Sequence, residues 1–154
     1  LIEPECQALG VVPASEGALA VFALADAVAL EQVLRNLLDN ALTALAKVPV
    51  GERRLQLRVT RTDADAVIEI IDSGPGIAAD ILPRLFEPFF TTRSSPHPAV
   101  RNAAPGGGMG LGLSLCESLL QRMGGRIEAH NSERRGAVFR VTLPLAGVAQ
   151  QQNT

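Results

Sequence analysis

The sequence predicts an α/β fold in which one sheet is covered by helices on one face. Three patterns indicate it. Apolar residues recur at helical spacing over residues 26–47, alternating and β-branched residues follow over 55–71, and a second helix-then-strands pattern runs over 111–143. Because each helix and each sheet must bury its apolar face against another element, this mixture is typical of packed layers.

The first part of the chain contains the longest predicted helix. We expect residues 1–9 to be helical and residues 18–24 to form a strand. In residues 26–47, apolar side chains follow the i, i+3, i+4, i+7 spacing of one helical face. Asp26 is a suitable N-cap, and Pro49 with Gly51 ends the helix.

The remaining elements form two strand pairs around a second helix. Strand propensity and alternation predict antiparallel strands, and a glycine pair predicts the end of a helix. In order, we expect strands over 55–60 and 67–71, a short helix over 79–85, a helix over 111–123 ended by Gly124 and Gly125, and strands over 126–130 and 137–143.

A long segment of residues 86–110 is expected to be a flexible lid or binding loop. From residue 88 to residue 110 it contains four Pro and four Gly and little hydrophobic periodicity. A structureless segment of this length inside a compact domain is usually functional.

The composition describes one globular domain. The 154 residues carry 14 basic and 16 acidic side chains, for a net charge of −2, and 47% of them are apolar. Aromatic residues make up 3%, without Trp or Tyr, so no nucleic-acid surface is predicted. The longest uncharged apolar stretch, residues 17–25, is about half of the roughly 20 residues that a spanning helix needs, so no membrane segment is predicted.

The cysteines and the chain start suggest the cellular context. Cys6 and Cys116 form no CxxC pair, which argues against zinc or a redox dithiol, and Cys116 is expected to be a buried thiol. With no initiator Met and no leader, the chain is expected to begin inside a longer cytoplasmic protein that is either free or anchored in the inner membrane. Residues 1–148 are expected to form one domain, monomeric when isolated, and 149–154 a frayed tail.

Asn36 and Asn40 form the first candidate site. They are four residues apart on the long predicted helix, so both amides lie on one flank beside the apolar stripe. Two amide oxygens suit Mg²⁺ that takes its negative ligands from nucleotide phosphates. A pair of asparagines that only bind water remains the alternative.

Asp72 is the second candidate. It follows the predicted strand of residues 67–71 and precedes Ser73, Gly74, Pro75 and Gly76, where glycines permit close approach of a planar ligand. A carboxylate only accepts hydrogen bonds, so it can pair with the exocyclic amine of adenine but not with the oxygen that guanine presents there. An Asp that serves a tight turn is the alternative.

A glycine-rich run over residues 106–113 is the third candidate, and it leads directly into the predicted helical residues 114–123. Unpaired N–H groups and the helix dipole make such a helix start suitable for phosphates. The run is neither GxGxxG nor a Walker loop. A flexible linker is the alternative, which the interleaved Met109, Leu111 and Leu113 argue against.

Taken in order, these three sites and the start of the predicted lid resemble the four motifs of the catalytic ATP-binding domain of bacterial sensor histidine kinases, in the GHKL superfamily. Residues 31–41 (EQVLRNLLDNA) resemble the N box, 72–77 (DSGPGI) the G1 box, 85–92 (LFEPFFTT) the F box, and 108–113 (GMGLGL) the G2 box. The resemblance covers about residues 25–145.

The resemblance implies a Bergerat fold, a two-layer α+β sandwich. It has a mixed, mostly antiparallel sheet of about five strands, about three helices on one face and a flexible ATP lid. It also implies ATP and Mg²⁺ as cofactors and roles for the matching residues. Asn36 and Asn40 would orient the metal and phosphates, Asp72 would hold the adenine amine, and Phe86, Phe89 and Phe90 would anchor the lid. The implied nucleotide-binding residues are Asp72, Gly74, Gly76, Ile77, Phe89, Thr91, Thr92, Arg93, Gly108, Met109, Gly110, Leu111, Gly112 and Leu113.

The function that the resemblance implies is a protein-histidine kinase. It would transfer the ATP γ-phosphoryl group to a histidine on an upstream dimerisation domain, from which the group passes to the receiver domain of a response regulator. Related gyrase, chaperone and mismatch-repair ATPases carry Glu in place of Asn36, so weak ATP hydrolysis is expected. An anti-sigma-type serine kinase and a nucleotide-binding docking or pseudokinase module are the alternatives.

Two departures from the family pattern stand out. No H-E-type phosphoacceptor motif is present, since His97 lies in the predicted lid and His130 in a predicted strand. Where many relatives have Thr after the glycine of the last hairpin, this chain has Ala137 after Gly136, which puts a water-mediated base contact there in doubt.

Overall fold

A computed structural model describes residues 3–17, 21–90 and 111–146. In chain order the described elements are α1 (Glu3–Ala8), β1 (Pro13–Gly17), α2 (Ala27–Leu45), β2 (Leu55–Arg61), β3 (Asp65–Asp72), α3 (Gly112–Arg122), β4 (Arg126–Asn131) and β5 (Ala137–Pro144). The predicted lid is described only as far as residue 90, and the predicted tail of residues 149–154 lies outside the described part. None of the described helices is both long and apolar enough to cross a bilayer.

The five strands form one sheet in the order β1-β2-β3-β5-β4. β1 runs parallel to β2, and the other neighbouring pairs are antiparallel, which confirms the prediction of a mixed, mostly antiparallel sheet. β5 lies between β3 and β4, with Ile71 opposite Val138. This pairing brings the end of β3 next to the start of β5, where the site described below is built.

The three helices pack on the sheet around a shared core. α2 begins as predicted, because the Asp26 side chain accepts a 2.9 Å hydrogen bond from the Ala29 N–H and caps the first turn. α3 packs beside α2 and buries Cys116 and Leu120, and α1 adds Cys6, which is 2% exposed. The buried stripe of α2 consists of Val33, Leu37, Leu38, Ala41, Leu42 and Leu45.

The opposite face of the sheet carries a row of alternating charges, one from each strand. The register aligns Glu16, Arg58, Glu69, Arg140 and Glu128 across the sheet. Arg140 donates two hydrogen bonds of 2.9 and 2.7 Å to Glu69, and Arg58 lies 3.3 Å from Glu69 and 3.5 Å from Glu16. Burial raises the pKa of Glu69, but the hydrogen bonds and charges of Arg140 and Arg58 outweigh burial and hold it below its ordinary value. The row therefore stabilises the register.

The strand predicted at residues 18–24 is not found over residues 21–24, which are the part of it that the structure describes. The first strand is β1, all five residues of which are exposed, so it has no apolar alternation from which it could be predicted. It is held instead by parallel pairing with β2. Of residues 21–24, Ala23 forms an isolated bridge with Leu145, and residues 18–20 lie outside the described part.

The short helical stretch predicted around residues 79–85 is shorter than expected. The structure has a 3-10 turn at Leu82–Arg84. Pro83 within this turn has no N–H to continue a helical hydrogen-bond ladder, so a full α-helix does not form.

Candidate nucleotide site

Asp72 ends β3 with its side chain buried at the edge of the helical layer. The residue is 3% exposed. Its Oδ1 accepts hydrogen bonds from the N–H of Gly74 at 2.7 Å and of Ala137 at 3.4 Å. Burial raises the pKa of this carboxyl, although both backbone hydrogen bonds oppose the shift. No described residue donates to the other oxygen, Oδ2, which leaves it able to accept a hydrogen bond from a ligand.

Gly74 joins this carboxylate to α2. A Cβ at residue 74 would lie 2.7 Å from Asp72 Oδ1 and 2.8 Å from the Cβ of Ala44, which is in the last turn of α2. Only glycine permits this approach. The loop that follows β3 is therefore in contact with the C-terminal part of α2.

Ser73 holds the start of this loop to the beginning of β2. Its N–H donates to the Arg54 carbonyl at 3.0 Å, and its hydroxyl donates to the Glu52 carbonyl at 2.8 Å while accepting from the Arg54 N–H at 2.8 Å. The role of Ser73 is not visible in the sequence, because its partners lie about 20 residues away and become neighbours only when β2 pairs with β3.

Asn131, the last residue of β4, holds the other end of the loop. Its Oδ1 accepts a 2.7 Å hydrogen bond from the Ile77 N–H, and its Nδ2 donates a 2.8 Å hydrogen bond to the Ile77 carbonyl. Gly76, with φ of +79°, precedes this contact. No motif in the sequence points to Asn131, because its partner lies 54 positions away.

The hairpin between β4 and β5 closes behind Asp72. Gly136 has φ of +92°, and a Cβ there would lie 1.8 Å from the Asp72 carbonyl oxygen, so no other residue fits without displacement. Residue 137 is Ala where many relatives have Thr. This difference does not affect the hydrogen bond to Asp72, because the donor is the backbone N–H of Ala137.

Asn36 lies at the other end of the same helix flank. Its Nδ2 donates to the Gly112 carbonyl at 3.4 Å and to Cys116 Sγ at 3.6 Å, and its Oδ1 accepts from Gln32 Nε2 at 3.3 Å. Burial raises the pKa of the Cys116 thiol to about 11, and the hydrogen bond from Asn36 opposes part of the shift. The expectation of a buried thiol at Cys116 is confirmed.

The flank of α2 connects the predicted sites. Asn36, Asn40 and Ala44 are spaced by four residues, so they follow one flank over about 12 Å at 1.5 Å per residue. Asn36 contacts Gly112 at one end, and Ala44 contacts Gly74 at the other. Asn40 is half-buried between them. The structure thus brings the two asparagines, the loop after Asp72 and the start of α3 onto one flank.

Of the three phenylalanines predicted to anchor the lid, two contact other described residues and one is exposed. Phe86 packs against the core, and the Arg84 guanidinium lies 4.6 Å from the centre of the Phe90 ring. Phe89 has φ of +64° and is 74% exposed, so its ring is not anchored among the described residues.

The glycine-rich candidate is described only at its end. Leu111 precedes α3, Gly112 begins it, and Leu113 is half-buried against the core. No cluster of three or more His, Cys, Asp or Glu side chains that could hold a metal ion occurs within residues 3–17, 21–90 and 111–146. The predicted site residues outside the described part are Thr91, Thr92, Arg93, Gly108, Met109 and Gly110.

Comparison with known proteins identifies the family. The family described as "Histidine kinase-, DNA gyrase B-, and HSP90-like ATPase" matches residues 25–147. The chain belongs to this family. The match includes α2, the loop after β3 and α3, and therefore every described element that builds the candidate site.

Curated relatives of this histidine kinase-like domain are sensor proteins. Sensor protein KdpD of Clostridium acetobutylicum is 40% identical over 119 residues, which are 77% of this chain and 12% of that protein. Sensor protein FixL of Bradyrhizobium diazoefficiens is 41% identical over 126 residues, 80% of this chain and 22% of that protein. Two-component sensor PprA of Pseudomonas aeruginosa is 40% identical over 152 residues, 97% of this chain and 14% of that protein. The chain thus spans less than a quarter of the length of these relatives.

Solved structures support the same assignment. The catalytic domain of histidine kinase ThkA matches with a TM-score of 0.75 at 26% identity, over 94% of this chain and 86% of that chain. Full-length ShkA in complex with AMPPNP matches with a TM-score of 0.74 at 26% identity, over 94% of this chain and 28% of that chain. The chain is a catalytic ATPase domain of the two-component sensor histidine kinase type, as the sequence motifs predicted.

Proposed function

We propose that this domain binds Mg-ATP and transfers the γ-phosphoryl group to a histidine on an upstream dimerisation domain of the same polypeptide. The observation that carries the proposal is the flank of α2, which contacts Gly74 beside Asp72 at one end and Gly112 at the other. A nucleotide along this flank would meet a carboxylate with its base and amide groups with its phosphates.

Asp72 supports adenine as the base. Its buried carboxylate has one oxygen that accepts from the backbone and a second that accepts from no described residue. A buried carboxylate is costly unless donors surround it, and the exocyclic amine of adenine is such a donor. We assign Gly74, Gly76 and Ile77 to the loop that lines the base, because each lies in the segment held next to Asp72.

Asn36 and Asn40 are suited to the phosphate end. An amide oxygen has two lone pairs. Asn36 Oδ1 can therefore coordinate a cation with one of them while the other accepts the long 3.3 Å hydrogen bond from Gln32. Such a neutral oxygen fits Mg²⁺, which prefers oxygen ligands and takes negative charge from nucleotide phosphates. When bound, the metal would neutralise charge on the phosphates. The two asparagines would orient the phosphates from one side of α2.

The roles that we propose for the lid residues rest on the family resemblance alone. Thr91, Thr92 and Arg93 would border the phosphates, with Arg93 as a cation for the γ-phosphate. Backbone groups of the G2 box would lie near the phosphate oxygens. This second set consists of Gly108, Met109, Gly110, Leu111, Gly112 and Leu113.

The site contains no suitable base for hydrolysis at residue 36. An asparagine cannot accept a proton from water as Glu does, so Asn36 favours slow hydrolysis and retention of the phosphoryl group. The acceptor imidazole of the partner domain is itself the nucleophile, which leaves positioning to this domain. His130 is the histidine in the described part. It lies opposite Val138 on the sheet face that is turned away from the helices, and so away from the flank of α2.

We place the reaction in the cytoplasm, where ATP is available, and propose a response regulator as the final acceptor. A solved structure of ThkA in complex with response regulator protein TrrA gives a precedent for such a partner.

The decisive test measures where label from γ-labelled ATP is found. The 154-residue chain would be mixed with a dimerisation-helix fragment that carries the acceptor histidine, and the phosphorylated residue would be identified by its chemical stability and by mass spectrometry. We expect acid-labile label on histidine, ATP affinity in calorimetry, and slow steady-state hydrolysis. Asp72→Ala is the matched variant, because it removes the proposed adenine contact.

Each outcome decides between the alternatives. Label on serine would favour the serine-kinase function, and tight ATP binding without transfer would favour a docking module. Rapid multiple-turnover hydrolysis, or equal ATP affinity in wild type and Asp72→Ala, would contradict the proposed site.

A further inference from the structure

Asn131 makes a paired contact with Ile77, although the nucleotide proposal gives Asn131 itself no role. It lies at the end of β4, opposite Ala137 of β5. Its Oδ1 accepts from the Ile77 N–H at 2.7 Å, and its Nδ2 donates to the Ile77 carbonyl at 2.8 Å, across 54 positions of sequence. One side chain thus satisfies both backbone groups of a single loop residue.

The sequence of the loop is adapted to this contact. A Cβ at Gly76 would lie 2.9 Å from Asn131 Oδ1, and the positive φ of Gly76 is unfavourable for other residues. Ile77 itself packs partly buried against the core, so its backbone is presented to Asn131 while its side chain faces inward. A larger residue at position 76 would displace the Asn131 carboxamide.

The loop is therefore fixed at both ends. Near its start, the Gly74 N–H is bound to Asp72 Oδ1, and at its end Ile77 is bound to Asn131. Between them lie only Pro75 and Gly76. A loop that is ordered before ligand arrives loses less conformational entropy when the ligand binds.

We propose that Asn131 is a positioning residue for the nucleotide base: it holds residues 74–77 in the conformation that lines the base, without touching the nucleotide. The inference rests on the proposed ATP site at Asp72. It predicts that Asn131 affects binding of the part common to ATP and ADP, and that it leaves the contribution of the γ-phosphate and the metal, at the other end of α2, unchanged.

The test compares Asn131→Ala and Asn131→Asp with wild type. Asn131→Asp keeps the side-chain volume and the acceptor for the Ile77 N–H, but it places a second acceptor against the Ile77 carbonyl. Ser132→Ala is the matched control, because Ser132 is the next residue and its side chain makes no hydrogen bond to any described residue. Calorimetry would give the Kd of ADP and of Mg-ATP, and amide hydrogen exchange would follow the Ile77 N–H.

We expect Asn131→Ala, which loses both hydrogen bonds, to bind ADP and Mg-ATP about tenfold more weakly. Asn131→Asp loses one hydrogen bond and places an acceptor against the Ile77 carbonyl, so we expect a loss of similar size. The ratio of the two Kd values should stay unchanged. Exchange of the Ile77 amide should accelerate, while Ser132→Ala should match wild type in every measurement.

Wild-type affinity in both Asn131 variants, with faster Ile77 exchange, would overturn the inference and leave the proposed function intact. A change in the ratio of the ATP and ADP affinities would overturn it as well, because the effect would then lie at the phosphates. Failure of the wild-type chain to bind either nucleotide would instead refute the proposed function.

Discussion

Asn36 Nδ2 donates a 3.4 Å hydrogen bond to the carbonyl oxygen of Gly112, across 76 positions of sequence. The contact joins the flank of α2 to the first residue of α3. The same amide group lies 3.6 Å from Cys116 Sγ one turn further along α3. Asn36 therefore fixes the relative placement of the two helices that border the proposed phosphate end.

Replacing Asn36 with Ala tests this placement. The variant loses the long, part-buried hydrogen bonds with Gly112, Cys116 and Gln32, so we expect the free energy of unfolding to fall by about 1–3 kcal/mol. Because the proposed phosphate contact is lost as well, Mg-ATP affinity and phosphoryl transfer should fall by at least about tenfold. Denaturant titration and calorimetry would measure the two effects. Arg35→Ala is the control, since among the described residues Arg35 forms only an exposed ion pair, with Glu31 at 3.5 Å. Retained phosphoryl transfer in Asn36→Ala would remove Asn36 from the site.

Asp72→Asn should stabilise the nucleotide-free domain and weaken ATP binding. Burial raises the folded-state pKa of Asp72 above its ordinary value of 3.8, so the ionised carboxyl lowers stability as the pH rises through and above this range. An Asn oxygen can keep both backbone hydrogen bonds without the charge, and we expect a higher Tm at pH 7.

The same variant turns an acceptor into an amide that can oppose the adenine amine with its own donor. We expect ATP affinity to fall roughly 5- to 150-fold, or about 1–3 kcal/mol. Thermal scans and calorimetry, with exposed Asp80→Asn as control, would check both effects. A lower Tm would show that the charge is favourable in the fold.

Glu69→Gln should destabilise the sheet in a pH-dependent way. Because Arg140 and Arg58 outweigh burial, the folded-state pKa of Glu69 is below its ordinary value of 4.5. Its stabilising effect is therefore present above pH 4.5 and is lost as the pH falls through the folded-state pKa. We expect a loss of about 1–3 kcal/mol at pH 7 that shrinks in acid.

Glu128→Gln is the matched control for the charge row. Glu128 occupies the same row on the edge strand β4, but among the described residues it forms no ion pair. Urea titrations of both variants at pH 7 and pH 3 would test the expectation. Equal losses at the two pH values would rule out ionic stabilisation by Glu69.

Cys116 should make the stability depend on pH in alkaline solution. Its folded-state pKa is about 11, above the ordinary 9.0, because burial disfavours the thiolate. Unfolding then releases a proton, and stability should fall between pH 9 and pH 11 by up to about 1.4 kcal/mol per pH unit. The difference in unfolding free energy between wild type and Cys116→Ala, measured over pH 8–11, should fall accordingly. A difference that is constant with pH would count against the burial effect.

Gly136→Ala should disrupt the site through the backbone of Asp72. With φ of +92° and a Cβ position 1.8 Å from the Asp72 carbonyl oxygen, the variant must move either the hairpin or the end of β3. We expect a loss of roughly 1–3 kcal/mol or more in stability and weaker ATP binding. Gly51→Ala is the control, because nothing lies within 4 Å of a Cβ there. Equal melting temperatures of the two variants would show that the hairpin relaxes without cost.

Local patterns were enough to predict the main elements. The helix expected over residues 26–47 is α2, and the strands expected over 55–60 and 67–71 are β2 and β3. Both rest on periodicities of a few residues, which the chain carries in its own order. The exposed strand β1 was missed because it has no apolar alternation and depends on pairing with β2.

The candidate site was predicted in its parts, since each motif is a short run of residues whose chemistry can be read locally. The contact of Asn131 with Ile77 was missed, as an asparagine near a turn has many possible partners and this one lies 54 residues away. The charge row through Glu69 was likewise missed, because the row exists only in one register of five strands.

The sequence by itself determined α2, α3 and the strands β2 to β5, the candidate site residues, and the family. Those properties follow from side-chain periodicity and residue type within a few turns of chain. The tertiary structure alone decided that Asn36 and Gly74 border the same flank of α2, and that Asn131 and Gly136 close around the loop after Asp72. Such contacts depend on packing and strand register, which are set by the burial of the whole core rather than by any single segment.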